Sequence, residues 1–322
     1  MKRHGNLFEK IISMENLLQA DYNACRGKYN QAGVVQHIAR REDNLEKLHL
    51  QLSAGEFQTS TYKISIIREP KERLIHCLPY FPDRIVHHAI MNVMEPIWVG
   101  CFTADTYACI KGRGIHSALE NVKKALKNTQ ATQYCLKLDI QKFYQSVDHD
   151  VLKMIIRKKI KDARLLNLLD GIIDSAEGLP IGNYLSQYLA NLYLTYFDHW
   201  LKEIKKVRYC FRYCDDMVIL GSSKTYLHQL KADIAEYLQV ELKLSLKSNH
   251  QVFPVASRGI DFVGYVIYHT HTRLRKSIKK NFARAVAKRK PIASLNSYRG
   301  WAMYANSKNL IRKLTPDYGK AV

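Results

Sequence analysis

Leu136–His149, LKLDIQKFYQSVDH, is the stretch on which the reading of this chain turns. It begins as a strand, with Leu136 and Leu138 alternating with polar neighbours, and loses that regularity just past Asp139. A second stretch, Val207–Gly221, VRYCFRYCDDMVILG, reads as two strands meeting at a turn that carries the adjacent Asp215 and Asp216. Carboxylates beside apolar strands are costly to bury unless cations or hydrogen bonds compensate them. The two stretches together predict an antiparallel sheet with acid at its end, and a divalent cation as the partner of that acid.

Working outward, helical spacing recurs in LFEKIISMENLLQA (7–20) and in QHIARREDNLEKLHLQLSAG (36–55), where Gly55 supplies a stop. TYKISIIREPKERLIHCLPY (61–80) mixes β-branched residues with Pro70 and Pro79, predicting short strands around a basic turn. Further helices are expected over 83–98, after the glycines of KGRGIHSALENVKKAL (111–126), over 181–204 and over 226–242. Strands are expected near 250–255 and 260–268. The mixture is α+β, built on a central antiparallel sheet.

The chain has 322 residues, 47% hydrophobic and 25% charged, which is globular composition and more than one core usually serves. Its 50 Lys and Arg against 29 Asp and Glu leave a net charge of +21, which calls for a polyanionic partner, nucleic acid first. The tail carries this furthest. From Arg273 to Lys290 there are nine Lys or Arg and no acid, with Leu274, Ile278, Phe282 and Val286 at four-residue steps, so one face can pack while another meets phosphates. No apolar run is long enough to span a membrane, and MKRHGNLFEKII has no signal-peptide core, so no membrane association and a cytoplasmic location are expected. The seven cysteines show no zinc cadence and are expected to be buried, reduced thiols.

The acids specify the chemistry. Oxygen ligands suit Mg²⁺, which typically takes one or two protein carboxylates together with water and substrate phosphates. Two such ions about 3.5–4 Å apart can activate an attacking hydroxyl and neutralise a departing pyrophosphate. Asp139 and Asp215 are the expected direct ligands, the Ile140 carbonyl completes the set, and Asp216 is a weaker ligand or an electrostatic support.

The order of these motifs resembles a reverse transcriptase. LDIQKFYQSVDH is similar to that family's first catalytic motif, IGNYLSQ (181–187) to its middle substrate-binding motif, and YCDD (213–216) to its YxDD turn. KGRGIHSAL (111–119) and SRGIDFVGY (257–265) resemble two further blocks, so the likeness runs from about Ile67 to Tyr265. Within the family the chain looks most like the enzymes of diversity-generating retroelements, which carry an aliphatic-GxxxSQ pattern where group II intron and retroviral enzymes generally have QGxxxSP. HCLPYFPDRIVHHAI (76–90), PVASRGI and FVGY point to the same branch.

The resemblance implies an RNA-directed DNA polymerase with a right-hand arrangement. Residues 1–60 would form a helical N-terminal extension and part of the fingers, 61–138 fingers and entry to the palm, 139–270 the catalytic palm and 271–322 a basic thumb. It implies a template RNA copied into cDNA from deoxynucleoside triphosphates, with errors opposite template adenines, two Mg²⁺ for which Mn²⁺ can substitute, and an accessory variability protein. By the same likeness Lys71, Arg73, Tyr144, Ile181, Gly182 and Gln187 would bind the incoming nucleotide, Tyr144 as the gate against a ribose 2′-hydroxyl. Phe262, Gly264 and Tyr265 would grip the primer, while Lys111, Arg113, Arg275, Lys276, Lys279 and Lys280 would track nucleic acid. The general acid is left between Lys247 and His250 of LKLSLKSNHQV. His87 and His88 are read as structural, as is the Tyr298, Trp301 and Tyr304 face. A group II intron-like or other bacterial reverse transcriptase, and an RNA-binding scaffold without activity, are the competing readings.

Overall fold

The computed structural model describes residues 3–68 and 72–315, which gather into two compact units, each assembled from separate pieces of chain. The first draws on 1–103, 141–199 and 237–245, the second on 104–140, 200–236 and 246–322.

In the first unit the helices Phe8–Ile12, Met14–Cys25, Ala32–Ile38 and Arg41–Ala54 precede a hairpin of β1 (Lys63–Ile67) and β2 (Arg73–Cys77). The helix expected over 7–20 is two helices, because the Ser13 hydroxyl accepts the Asn16 N–H at 3.3 Å and caps a new start there. Gly55 stops the fourth helix as expected, with φ 74 and its N–H on Leu52 O at 3.1 Å. Lys71, expected to bind the incoming nucleotide, lies outside the described residues. Helix Ile85–Val99 then forms the centre of the unit, and helix Tyr184–Tyr193 lies against it, the Tyr188 hydroxyl donating to Glu95 at 2.9 Å. The long helix expected over 181–204 is broken at Leu194 (φ −92, ψ 0). There the Thr195 hydroxyl donates to the Asn191 carbonyl at 3.0 Å, a bend-inducing bond to the preceding turn.

The second unit is organised by a four-stranded antiparallel sheet in the order β4-β5-β3-β6, with β3 at Tyr134–Asp139, β4 at Tyr209–Tyr213, β5 at Asp216–Gly221 and β6 at Gln251–Pro254. Cys135, Leu136, Leu138 and Met217–Leu220 are buried and supply its cohesion. A three-stranded sheet follows, β7 (Ile260–Phe262), β8 (Tyr265–Ile267) and β9 (Thr272–Leu274). The expected strand at 260–268 is thus a hairpin. It turns at Gly264, where φ is 90 and an added Cβ would lie 2.3 Å from the Trp301 ring, so only glycine fits.

The basic tail forms helices Lys276–Ala287, Ile292–Met303 and Lys308–Leu314. Phe282 is buried and stacks on Tyr298, Trp301 stacks on Tyr265, and Tyr304 on His116, while Lys276, Lys279 and Lys280 are exposed. All seven cysteines are free, but Cys77, Cys109 and Cys214 are only partly buried, which departs from the expectation of a wholly interior set. Among the described residues no helix is long and apolar enough to cross a membrane.

Candidate active site

Antiparallel pairing sets the acids together. The β3–β5 register places Asp139 opposite Asp216, and the β4–β5 register pairs Tyr213 with Asp216, leaving Cys214 and Asp215 as a two-residue hairpin turn. Asp215 therefore projects from the loop just beyond the end of β3. Burial pushes its carboxyl up to about 6, and the neighbouring Asp139 carboxylate adds to the rise. Asp139 itself keeps one buried oxygen, Oδ1, without a hydrogen-bond partner among the described residues.

Two lysines neutralise part of this charge. Lys247 Nζ lies 2.6 Å from Asp139 Oδ2, and its backbone N–H donates to Asp139 O at 2.8 Å. This pairing belongs to a bridge between Ile140 and Leu246 that uses the Asp139 carbonyl and leaves the Ile140 carbonyl outside the ladder. His250 is turned elsewhere: Nδ1 faces Lys247 O and Nε2 faces Lys231 Nζ, each at 3.2 Å. Lys137 Nζ lies 2.7 Å from Asp216 Oδ1, donates to the Asp261 carbonyl at 2.5 Å and sits 5.5 Å over the Phe262 ring. Arg275 in turn pairs with Asp261 at 2.5 Å. Burial still raises the Asp216 carboxyl, with Lys137 opposing. Sequence reasoning missed Lys137, although strand alternation puts it on the same face as Asp139, two residues on.

Three His, Cys, Asp or Glu side chains that could form a metal-ligand set are not found together among the described residues. Mg²⁺ does not require one, since substrate phosphates and water fill most of its positions. An unpartnered Asp139 oxygen beside an Asp215 carboxyl whose ionisation is held back fits a place for added positive charge. A cavity of about 190 Å³ opens beside Asp139 and Asp216, lined also by Asn249, Arg258 and Asp261.

Phe262 and Tyr265 are fully buried, the Tyr265 hydroxyl donating to Trp301 O at 3.0 Å. Val263 and Gly264 between them are buried as well, so the hairpin expected to grip a primer presents none of these side chains at the surface. Lys111 is exposed, whereas Arg113 is partly buried and reaches the Thr106 carbonyl at 3.4 Å.

The other predicted residues belong to the first unit. Tyr144 lies half-buried in the short helix Phe143–Ser146. The Ile181 carbonyl accepts the His76 N–H at 2.7 Å, tying the middle motif to β2, and Gly182 follows with φ 124. A Cβ there would stand 2.6 Å from His76 O, so the close approach of the two segments requires glycine. Gly182 and Gln187 line a cavity of about 310 Å³ with Lys28, Arg84, His87 and His88. Arg73 opens β2, exposed and paired in register with Ile67.

A family profile described as reverse transcriptase (RNA-dependent DNA polymerase) matches residues 67–267. Among curated proteins the chain is similar to protein YkfC of Escherichia coli, 27% identical over 73% of this chain and 74% of that one. It is similar to nuclear intron maturase 4, mitochondrial, of Arabidopsis thaliana, 26% identical over 61% of this chain. It is also similar to the group II intron-encoded protein LtrA of Lactococcus lactis, 23% identical over 51%. The aligned part is 25% of the maturase and 29% of LtrA, so the chain spans less than a third of those two relatives. In fold it is similar to the apo telomerase of Candida tropicalis truncated from its C-terminal domain, with TM-score 0.50, 13% identity, 67% of this chain and 55% of that one covered. The mixture of helices with antiparallel sheets has the right-hand polymerase architecture expected from sequence.

Proposed function

The chain belongs to the reverse transcriptase (RNA-dependent DNA polymerase) family, and from that premise we propose that it copies a retroelement's template RNA into cDNA by two-metal nucleotidyl transfer. The observation that carries this reading is the Asp139–Asp215 pair, brought together by the β3–β5 register and the turn that follows it, with one carboxylate oxygen unpartnered among the described residues and the Asp215 carboxyl pushed up by burial.

Asp139, Asp215 and the Ile140 carbonyl would hold two Mg²⁺, which would acidify the primer 3′-hydroxyl and take up charge from the departing pyrophosphate. Asp216, committed to Lys137, supports the turn electrostatically and ties it to β7 through the Asp261 carbonyl. Lys247 is the general acid in preference to His250, because it already stands on Asp139 and can hand a proton to the leaving group. Tyr144 closes the sugar pocket against a 2′-hydroxyl, and Arg73 meets the triphosphate. Lys276, Lys279 and Lys280 track the duplex backbone.

The finer assignment is to the diversity-generating branch, on Ile181 and Gln187. A Gln at position 181 could hydrogen-bond near the incoming base, whereas Ile offers shape alone. An accessory variability protein and a structured template RNA belong to this reading. The names of the maturase relatives favour a second one, a group II intron-like enzyme. Sequencing the cDNA made by the purified protein on a defined RNA separates them. Substitutions concentrated at template adenines support the first, and even fidelity at all four bases supports the second. Absence of any chelator-sensitive extension, with or without added accessory protein, would leave a scaffold.

A further inference from the structure

Two of the three partly exposed thiols, Cys109 and Cys214, lie together at the hairpin that carries Asp215. Backbone pairing brings them there. Thr106 bridges Arg212 in parallel, flanked by Arg212 N–H on Asp105 O at 2.9 Å and Tyr107 N–H on Arg212 O at 3.1 Å. Cys109 lies three residues past that bridge on one segment and Cys214 two residues past it on the other, and the two side chains interact directly. Both have left-handed backbone, φ 57 at Cys109 and φ 54 at Cys214.

We propose that Cys109 and Cys214 are a modification site: a dithiol that hydrogen peroxide closes to a disulfide, switching off synthesis at the neighbouring Asp215 until a reductant reopens it.

One of the two sulfurs, as thiolate, attacks a peroxide oxygen, the O–O bond breaks, and that cysteine becomes a sulfenic acid with loss of hydroxide. The other sulfur then displaces water from it and the S–S bond forms. Two thiols give up two electrons and two protons, and one peroxide becomes two waters. A disulfide draws the Cβ atoms to about 3.8 Å, and its pull on Cys214 is passed to Asp215 by one peptide bond. A displacement of about 1 Å at a reacting group can lower a rate about 100-fold.

The activity arm of this inference rests on the polymerase reading, whereas the thiol arm does not. After brief peroxide treatment, free thiols are alkylated and the protein digested for mass spectrometry. The expected result is one Cys109–Cys214 linked peptide, an intact mass about 2 Da lower and return of both thiols with dithiothreitol. Extension on an RNA template should fall about 100-fold and recover with the same reductant. Cys109→Ser should extend normally and lose most of that sensitivity. Full alkylation of Cys109 and Cys214 under conditions that oxidise other cysteines would overturn the pairing, whatever the activity. A linked peptide with unchanged extension, or equal inhibition of Cys109→Ser and the parent, would overturn the switch.

Discussion

Single side chains bear on two properties of this protein, copying fidelity in the proposed reaction and stability against acid. The Ile181 side chain presents no hydrogen-bonding atom where that of a glutamine would present two. We expect Ile181→Gln to lower misincorporation at template adenines about fivefold, the equivalent of one modest hydrogen bond of about 1 kcal/mol. Deep sequencing of the cDNA reads this directly, and an unchanged spectrum would clear the residue of any part in fidelity. His87 acts on stability instead. It is 2% exposed, and burial followed by the charges of His88 and Arg84 lowers it to about 3. The folded protein thus stays neutral at His87 while the unfolded chain takes up a proton as pH falls through about 6.5. Its contribution is complete above that pH and is lost toward 3, about 2 kcal/mol of it by pH 5. His88, lowered to about 4, acts in the same direction. Urea melts at pH 7 and pH 5 should show His87→Leu losing less stability on acidification than the parent, and parallel losses would contradict the assignment.

At the scale of elements, strand register does most of the positioning. Lys137 reaches Asp216 because β3 and β5 pair with Asp139 opposite Asp216, and it reaches the Asp261 carbonyl in β7. Lys137→Met would leave the half-buried Asp216 without its cation, at about 1 kcal/mol of stability. It should also raise the KM for primer more than that for nucleotide, and Lys137→Arg should restore both. Steady-state kinetics on a fixed template checks the split; equal effects on the two substrates would make Lys137 a local stabiliser only. The strand ending at Asp139 and the hairpin turn bearing Asp215 were legible in the sequence because period-2 alternation and a turn-forming DD pair are local signals. So was the stop at Gly55. The contact between Ile181 and His76, the pairing of Lys247 with Asp139 and the hairpin at Gly264 were not legible, since each depends on which distant segment lies opposite. The break at Leu194 also escaped, because it turns on one threonine hydroxyl rather than on apolar spacing.

For the whole chain, +21 of net charge makes ionic strength the natural probe of binding. Each phosphate neutralised contributes about 0.7–0.9 to the slope of log affinity against log salt. Replacing exposed Lys279 and Lys280 by Ala should shallow that slope by about 1.5 for an RNA–cDNA duplex in a filter-binding titration, and an unchanged slope would move the duplex off this helix. The polymerase reading itself stands on the division of labour among three aspartates, which single-turnover primer extension on RNA with saturating Mg²⁺ measures most directly. Asp139→Asn and Asp215→Asn should each lower the rate by about 1,000-fold or more while Asp216→Asn, whose partner is Lys137, loses far less. Extension by Asp215→Asn at the parent rate, or Asp216→Asn as the most damaged of the three, would contradict it.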